Sequence, residues 1–386
     1  MRIVFGLATL AFAAALPLSA SLAAGHPVAP GTPADNAVAF QINAAHTGDI
    51  NMSMGFSTPL KLSWSHVFNT SFSGPNYPVI ADGMVFISAV LSSTSTTTFA
   101  FDQTNGDVVW SKVFNTNLPS LVYDNGTVFV PGGGGLITAL DSLTGTQKWA
   151  VQLPDDTGNT SYPIAVNGMF YTGGGHDDGN MYAVRESDGS LAWGMTGFPD
   201  DGGSPAYGNK ALYVGYPCLY FKLNALKPKV EWFDDEACAG GGSVQPVSFG
   251  KRVYVSDAAR SNVVLDSKNG HSVDTFPGDT MPTIFTDVRG RQYGVGLTHN
   301  TLICWKLSTG TTAWTFAGDS NLATQPIGVN GLVVVGSSRG MLYVLDGKSG
   351  KLKWSTNTKL VLETLAAGQG VLVAGGSNTV QVYVPQ

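Results

Sequence analysis

The sequence predicts an all-β protein, an eight-bladed β-propeller built from four-stranded antiparallel blades. Three observations predict it. Of the 386 residues 48 are glycine and only 12% are charged, a balance typical of β-proteins with many turns. A short motif that ends in an aromatic residue recurs every 38 to 46 residues along the chain. Asn-Gly and Asp-Gly pairs, which favour tight hairpins, recur in phase with that motif.

The aromatic motif is clearest in LDGKSGKLKW, residues 345–354. In most copies a glycine turn is followed by a strand that closes on the aromatic residue. We expect the closing residue to fill the space between adjacent sheets. The closing positions are Trp64, Trp110, Trp149, Trp193, Trp232, Phe276, Trp314 and Trp354.

Each repeat also contains a proline, a predicted hairpin and a third strand. Proline suits the first residue of a strand, where its missing N–H is tolerated. The hairpin turns are centred on pairs such as Asn125-Gly126 and Asn330-Gly331, and third strands read LITALD or MLYVLD. A single four-stranded sheet cannot bury both faces, whereas radial packing against like sheets can.

The two ends of the repeat array predict how the ring closes. Residues 364–386 supply only three strands, and LKLSWSHVF (60–68) is a fourth strand with no partners before it. Pairing the two removes two exposed sheet edges and completes an eighth blade. A seven-bladed ring and an open solenoid are the alternatives.

Residues 1–24 read as a signal peptide, because a basic start precedes an apolar run and small residues. A membrane anchor is the alternative. We therefore expect a secreted or periplasmic protein, without a lipid-attachment cysteine and without a membrane span. Residues 25–59 form an N-terminal extension, partly flexible, in which residues 40–53 are expected to pack across one face of the propeller. Residues 60–386 form a single propeller domain, expected to be a monomer.

The repeat, with a third strand ending LD, a TG turn and a fourth strand ending W, resembles the pyrroloquinoline-quinone-type (PQQ-like) propeller repeat. The resemblance covers roughly residues 60–386, and AAHTG (44–48) looks like a lead-in common in that superfamily. It implies one of two functions. Quinoprotein dehydrogenases oxidise alcohols or sugars with the quinone and Ca²⁺, whereas non-catalytic propellers bind partner proteins, as the lipoprotein of the outer-membrane barrel-assembly machinery does.

The chain lacks three features of the large quinoprotein dehydrogenases. It has no long insertions between repeats, no adjacent cysteines and no CxxCH haem motif. The leading hypothesis is an exported, non-enzymatic scaffold that binds a protein, a polysaccharide or a small molecule, with no cofactor. A compact oxidoreductase using PQQ and Ca²⁺ is the alternative, and a lyase or hydrolase using rim carboxylates is a third. No residue is nominated as catalytic, and no run of Lys or Arg indicates a nucleic acid partner.

The loops predicted to share one face of the propeller are acidic. This face is either a solvated surface or a mouth for cations or a basic partner. Its candidate residues are Asp155, Asp156, Asp200, Asp201, Asp234, Asp235 and Glu236, with Asp257, Asp279 and Asp319 in neighbouring loops. Within GGGHDDGN (173–180), Asp177, Asp178 and Asn180 offer oxygen ligands suited to Ca²⁺.

The three cysteines allow one disulfide in an oxidising compartment. Cys218 follows the second strand of its blade and Cys238 follows the fourth, so both fall on the acidic face. We predict a Cys218–Cys238 disulfide, which non-reducing peptide mapping would test. Cys304 and Trp305 lie in a predicted third strand and are expected to be buried, with Cys304 a free thiol.

Overall fold

The computed structural model describes residues 33–70, 76–116, 120–154, 161–174, 178–199, 203–216, 219–235, 245–257 and 261–386. The predicted signal peptide lies outside these residues. The described chain forms eight sheets, each with four antiparallel strands and arranged as the blades of a propeller; a two-residue strand, Asp49–Ile50, adds in parallel to one of them as a fifth strand. Within these ranges no helix is long and apolar enough to cross a membrane. The predicted fold class and blade number are confirmed.

A short strand, β1 (Asp49–Ile50), and then β2 (Leu60–Val67) precede the first blade. Blades 1 to 4 follow in chain order, each with four strands. Their strands are β3 (Val79–Ala81), β4 (Met84–Ser92), β5 (Ser95–Asp102) and β6 (Val108–Phe114); β7 (Val122–Asp124), β8 (Thr127–Pro131), β9 (Leu136–Asp141) and β10 (Gln147–Gln152); β11 (Ile164–Val166), β12 (Met169–Gly174), β13 (Asp178–Arg185) and β14 (Leu191–Pro199); β15 (Pro205–Gly208), β16 (Ala211–Tyr216), β17 (Leu219–Asn224) and β18 (Val230–Asp235).

Blades 5 to 7 have the same order, and blade 8 takes three strands from the C-terminus. Their strands are β19 (Val247–Phe249), β20 (Arg252–Asp257), β21 (Ser261–Asp266) and β22 (Ser272–Thr275); β23 (Thr283–Thr286), β24 (Gln292–Thr298), β25 (Thr301–Lys306) and β26 (Thr312–Phe316); β27 (Ile327–Val329), β28 (Leu332–Gly336), β29 (Met341–Asp346) and β30 (Leu352–Asn357); β31 (Leu362–Gly368), β32 (Val371–Gly376) and β33 (Thr379–Pro385). Single 3₁₀ turns occur at Pro33–Asp35 and Gly133–Gly135.

The ring closes as predicted, by pairing the first long strand with the last. Strand β2 runs antiparallel to β33, from Leu60 opposite Pro385 to Val67 opposite Thr379. Strand β2 thereby becomes the fourth strand of blade 8, and the edges of β2 and β33 that face each other are paired.

The hairpin turns between the first and second strands follow from the residues at their tips. Asn125, Asn167 and Asn330 have φ values of 45°, 57° and 49°, and each is followed by a glycine with positive φ. Asparagine and glycine tolerate this left-handed conformation, which hairpin turns of two residues require. The predicted hairpins therefore form where the Asn-Gly pairs stand.

Seven tryptophans of the repeat each contact the next blade in the ring. Six of them donate their indole N–H to a backbone carbonyl in the turn between the third and fourth strands of the following blade, at 2.8 to 3.2 Å. The pairs are Trp64 with Gln103, Trp110 with Ser142, Trp149 with Glu186, Trp193 with Ala225, Trp232 with Ser267, and Trp314 with Gly347. The seventh, Trp354, packs edge-to-face against Tyr383 of blade 8.

The chain ahead of β2 lies inside the ring. We call residues 35–53 the inner loop. Its backbone bonds to the first strands of successive blades as it passes them, for example Ala37 with Ile80 of blade 1 and Val38 with Tyr123 of blade 2. Phe40 stacks on Tyr162 at the start of blade 3, with ring centroids 4.2 Å apart.

The inner loop continues past the remaining blades and returns to its start. The carbonyl groups of Ala44, Ala45, Thr47 and Gly48 accept bonds from Tyr207, Ser248, Ile284 and Gly328 of blades 4, 5, 6 and 7 respectively. The Asp35 carbonyl accepts from Gln369 of blade 8. The Asp35 carboxylate then accepts bonds from the amide and hydroxyl of Ser53, at 2.5 and 2.6 Å. The inner loop thus contacts all eight blades and closes on itself.

Candidate functional site

The junction between blades 5 and 6 differs from the others because it has no tryptophan at the repeat position. Asp274 stands opposite Val264, in the register that Trp314 has opposite Cys304 in blade 6. The repeat spacing assigned this position to Phe276, and the strand register corrects that assignment by two residues. Asp274 is four residues after the turn glycine Gly270, the same interval that separates Gly310 from Trp314.

Phe276 and Trp305 fill the interior of this junction instead. Their rings stack with centroids 5.9 Å apart and an interplanar angle of 13°. Trp305 is 2% exposed and lies over Gly294, where a Cβ atom would overlap its indole. The large side chain in the third strand of blade 6 therefore compensates for the missing tryptophan in the fourth strand of blade 5.

Phe276 and Trp305 do not cover the turn between the third and fourth strands of blade 6. At the junction of blades 1 and 2, a Cβ atom on Gly145 would lie 2.7 Å from Trp110, whereas a Cβ on Gly310 would meet nothing within 4 Å. A groove of about 800 Å³ lies between blades 5 and 6, and we call it the junction pocket. Leu307, on its wall, has the turn position that Gly347 has in blade 7, where the carbonyl accepts the Trp314 indole N–H.

Four cationic side chains line the junction pocket: Lys251, Arg252, Arg291 and Lys306. The Asp287 carboxylate binds Arg291 at 2.5 Å, and Asp274 lies 3.7 Å from Arg252. Burial opposes ionisation of Asp287, but hydrogen bonds from Arg291 and from backbone amides outweigh it and hold the pKa of that carboxyl below its usual range. Four cations thus face two carboxylates.

Two further departures from the repeat place these cations. The third strand ends in aspartate in blades 1, 2, 5 and 7, where for example Asp346 accepts the Ser349 amide at 2.9 Å, but in blade 6 it ends in Lys306. The first hairpin of blade 6 has five residues between its strands, 287–291, against two in blade 7. The longer hairpin brings Arg291 to the pocket wall.

The predicted acidic face is described only in part. Asp155, Asp156, Asp200, Asp201 and Glu236 lie outside the described residues. Asp234 pairs with Tyr220 across strands β18 and β17, and Asp235 is the last residue of β18. Two neighbouring loop carboxylates are engaged locally: Asp279 accepts the His299 amide at 2.8 Å, and Asp319 accepts the Ser337 hydroxyl at 2.8 Å.

The candidate Ca²⁺ ligands are described only in part, and the site stays a prediction. Asp177 lies outside them, Asp178 begins strand β13, and Asn180 pairs with Gly174 inside the sheet with its side chain 3% exposed. Among the described residues no group of three or more His, Cys, Asp or Glu side chains could hold a metal ion.

The predicted disulfide falls outside the described residues, since neither Cys218 nor Cys238 is among them. Cys304 is a buried free thiol in strand β25, as expected. Burial raises the pKa of this thiol well above its ordinary value, which favours the protonated form at neutral pH.

A carboxyl pair between blades 2 and 3 was not foreseen from the sequence. Burial, followed by the charge of the adjacent Asp124, raises the pKa of Glu186 to about 8. Asp124 also has a raised pKa, mainly because of burial. Two carboxyl groups in contact favour a shared proton, so the pair holds one proton at neutral pH. No local motif marks it, because the two residues are far apart in the chain.

The repeats match the model of a known protein family. A family model named PQQ_2 and described as outer membrane protein assembly factor BamB matches residues 61–169, 114–228 and 284–386. The outer membrane protein assembly factor BamB of Yersinia pestis is 24% identical over 326 residues, which cover 81% of this chain and 74% of that protein.

Solved structures of two kinds share the fold. A europium-containing methanol dehydrogenase superposes with a TM-score of 0.71 at 14% identity, over 92% of this chain and 98% of that one. BamB from Moraxella catarrhalis superposes with a TM-score of 0.63 at 15% identity, over 84% of this chain and 100% of that one. At these identities the likeness establishes the propeller fold alone.

Proposed function

Because this chain belongs to the PQQ_2 family, described as outer membrane protein assembly factor BamB, we propose that it is an exported, non-enzymatic propeller that binds partner proteins in outer-membrane protein assembly. The family match carries the proposal, since it extends through both halves of the ring. The proposed location is the periplasm, reached through the signal peptide of residues 1–24.

The inner loop supports a role through the outer surfaces of the propeller. It bonds to the first strands of the blades and closes through Asp35 and Ser53, so the chain's own backbone covers the inner wall of the ring at that level. A macromolecular partner would therefore bind on a face or on the rim, as partners of repeat proteins commonly do.

We propose the acidic loop face as the partner surface. Its carboxylates would attract a basic partner and speed its association, an effect that salt weakens. The proposed residues are Asp155, Asp156, Asp200, Asp201, Asp234, Asp235 and Glu236. The Cys218–Cys238 disulfide, if formed, would tie down the loop that contains Glu236.

Deleting the gene in the source organism tests the proposed function. We expect lower amounts of outer-membrane β-barrel proteins, measured by quantitative proteomics of isolated outer membranes and restored by the wild-type gene. A quadruple Asp→Asn variant at 155, 156, 200 and 201 should restore them only partly. The control variant carries Asp107→Asn and Asp188→Asn, both exposed in turns between third and fourth strands. Unchanged barrel protein levels in the deletion strain would refute the proposal.

A quinoprotein oxidoreductase is the second candidate, favoured by the superposition on methanol dehydrogenase. The described residues do not fit the Ca²⁺ that the fold family implies, because they contain no suitable cluster of metal-binding side chains. Calorimetric titration of the mature protein with PQQ, with and without Ca²⁺, tests this candidate. Micromolar Ca²⁺-dependent binding, with dye reduction over a panel of alcohols and sugars, would replace the scaffold proposal.

A further inference from the structure

We propose that the junction pocket between blades 5 and 6 is a binding site for a ligand that carries two or more carboxylates. The ligand is either an acidic peptide segment of another protein or a free polycarboxylate, and the same chemistry recognises both. This inference concerns a surface different from the acidic loop face and does not depend on the proposed function.

The pocket arises from coordinated departures from the repeat. Replacing the tryptophan by Asp274 leaves Gly310 uncovered, and replacing the turn aspartate by Lys306 puts a cation on the wall of the junction pocket. The longer hairpin adds Arg291. Among the described residues no other junction lacks its tryptophan. One change alone would leave either an apolar gap or an isolated surface charge, whereas the three together build a basic cavity.

The charges of the pocket select an anion. Four cations against two carboxylates leave an excess of positive charge, on a chain whose formal net charge is −6. Within the described residues, no carboxylate forms an ion pair with Lys251 or Lys306. Two ammonium groups are therefore ready to receive ligand oxygens, and an anion bound between them would make charge-assisted hydrogen bonds.

The geometry of the pocket favours carboxylates and a ligand of some length. Its arginines already bind carboxylates, Arg252 that of Asp274 and Arg291 that of Asp287. The wall between them is aromatic, with Tyr254 from blade 5 and Tyr293 from blade 6. A volume of about 800 Å³ exceeds what one carboxylate needs and lies in the range of sites that enclose whole ligands.

Two substitutions restore the repeat and test the site without disturbing the ring. Lys306→Asp gives blade 6 the turn residue of blades 1, 2, 5 and 7. Asp274→Trp restores the usual tryptophan, whose indole N–H donates at other junctions to the turn position that Leu307 has on the pocket wall. The matched control is Lys348→Ser, which removes an exposed cation from the same turn of blade 7 and substitutes the residue that blade 6 has there, Ser308.

Isothermal titration calorimetry at low salt would measure binding of N-acetyl-hexaglutamate amide, of the hexaglutamine peptide and of citrate. We expect wild-type protein and Lys348→Ser to bind hexaglutamate but not hexaglutamine. Lys306→Asp should weaken binding by roughly tenfold or more, because it removes one ion pair and adds a repulsion. Asp274→Trp should abolish binding by filling the space.

The outcomes separate the sources of the ligand. Hexaglutamate binding much tighter than citrate binding identifies an acidic peptide segment, and the reverse identifies a free polycarboxylate. No binding of either anion by wild-type protein would overturn the proposal. Equal binding by wild-type, Lys306→Asp and Asp274→Trp proteins, each shown to be folded by circular dichroism, would also overturn it, because the anions would then bind elsewhere.

Discussion

The contact between a repeat tryptophan and a turn glycine can be isolated with two matched substitutions, Gly145→Ala and Gly310→Ala. Both glycines occupy the same turn position, with φ values of 68° and 67°, and both amides donate to a backbone carbonyl at 2.9 Å. They differ in what lies above them. Trp110 covers Gly145, whereas a Cβ atom on Gly310 would meet nothing within 4 Å.

The magnitudes follow from this difference. A left-handed conformation costs alanine about 1 kcal/mol, and the lost flexibility of the unfolded chain returns part of that. Gly310→Ala should therefore destabilise by less than about 1 kcal/mol. In Gly145→Ala the added Cβ would lie 2.7 Å from the indole of Trp110. The indole must therefore shift, which weakens its hydrogen bond to the Ser142 carbonyl. Overpacking of this kind adds roughly 1–3 kcal/mol.

Urea unfolding followed by tryptophan fluorescence would measure both variants against wild type. The expected gap between them is about 2 kcal/mol, or roughly 3 °C in Tm for a domain of this size. Equal destabilisation of the two variants would refute the reasoning, because it would mean that the covering tryptophan does not require glycine. A third variant, Gly189→Ala under Trp149, should behave like Gly145→Ala.

Three further predictions concern buried polar groups. The raised pKa of Glu186 means that folded protein holds the proton shared with Asp124 more tightly than unfolded protein, so stability is lost as pH rises from about 4.5 to about 8. Glu186→Gln should flatten the fall in Tm between pH 5 and pH 8, and an unchanged slope would contradict this. Burial lowers the pKa of His46 to about 4, so stability is lost as pH falls below about 6.5. The loss reaches about 3 kcal/mol once the histidine is protonated in both the folded and the unfolded state. In urea unfolding at pH 4, His46→Gln should lose less of its free energy of unfolding than wild type does. Asp35→Ala removes both bonds to Ser53 and should cost about 2 kcal/mol, with Asp35→Asn closer to wild type.

The ring could be predicted from the sequence because its determinants are local. Turn chemistry at pairs such as Asn125-Gly126 specifies the hairpins, and the aromatic residue that follows most of the turns between third and fourth strands marks the fourth strand. The closing pair, β2 with β33, followed from counting strands at the two ends. Each inference needed only a few neighbouring residues and a period.

The inner loop and the junction pocket escaped prediction for different reasons. Residues 35–53 have no hydrophobic period, and most of their bonds run from backbone to backbone toward strands far away in the chain. The pocket was missed because aromatic residues were counted rather than positions after the turn glycine. Measured from Gly270, the repeat position is Asp274, and Phe276 is a separate packing residue. The acidic loop face remains a prediction.

The inner loop also bears on how this fold can change in evolution. Repeat proteins commonly gain or lose a unit by duplication or deletion, because each unit contacts only its neighbours. Here residues 35–53 contact all eight blades in turn, and the segment ends where it began, at Asp35 and Ser53. Excising one blade would leave part of this segment without its contact partners, and inserting one would leave a first strand unmatched. The inner loop therefore acts as an internal gauge of blade number, and its length and the size of the ring must change together.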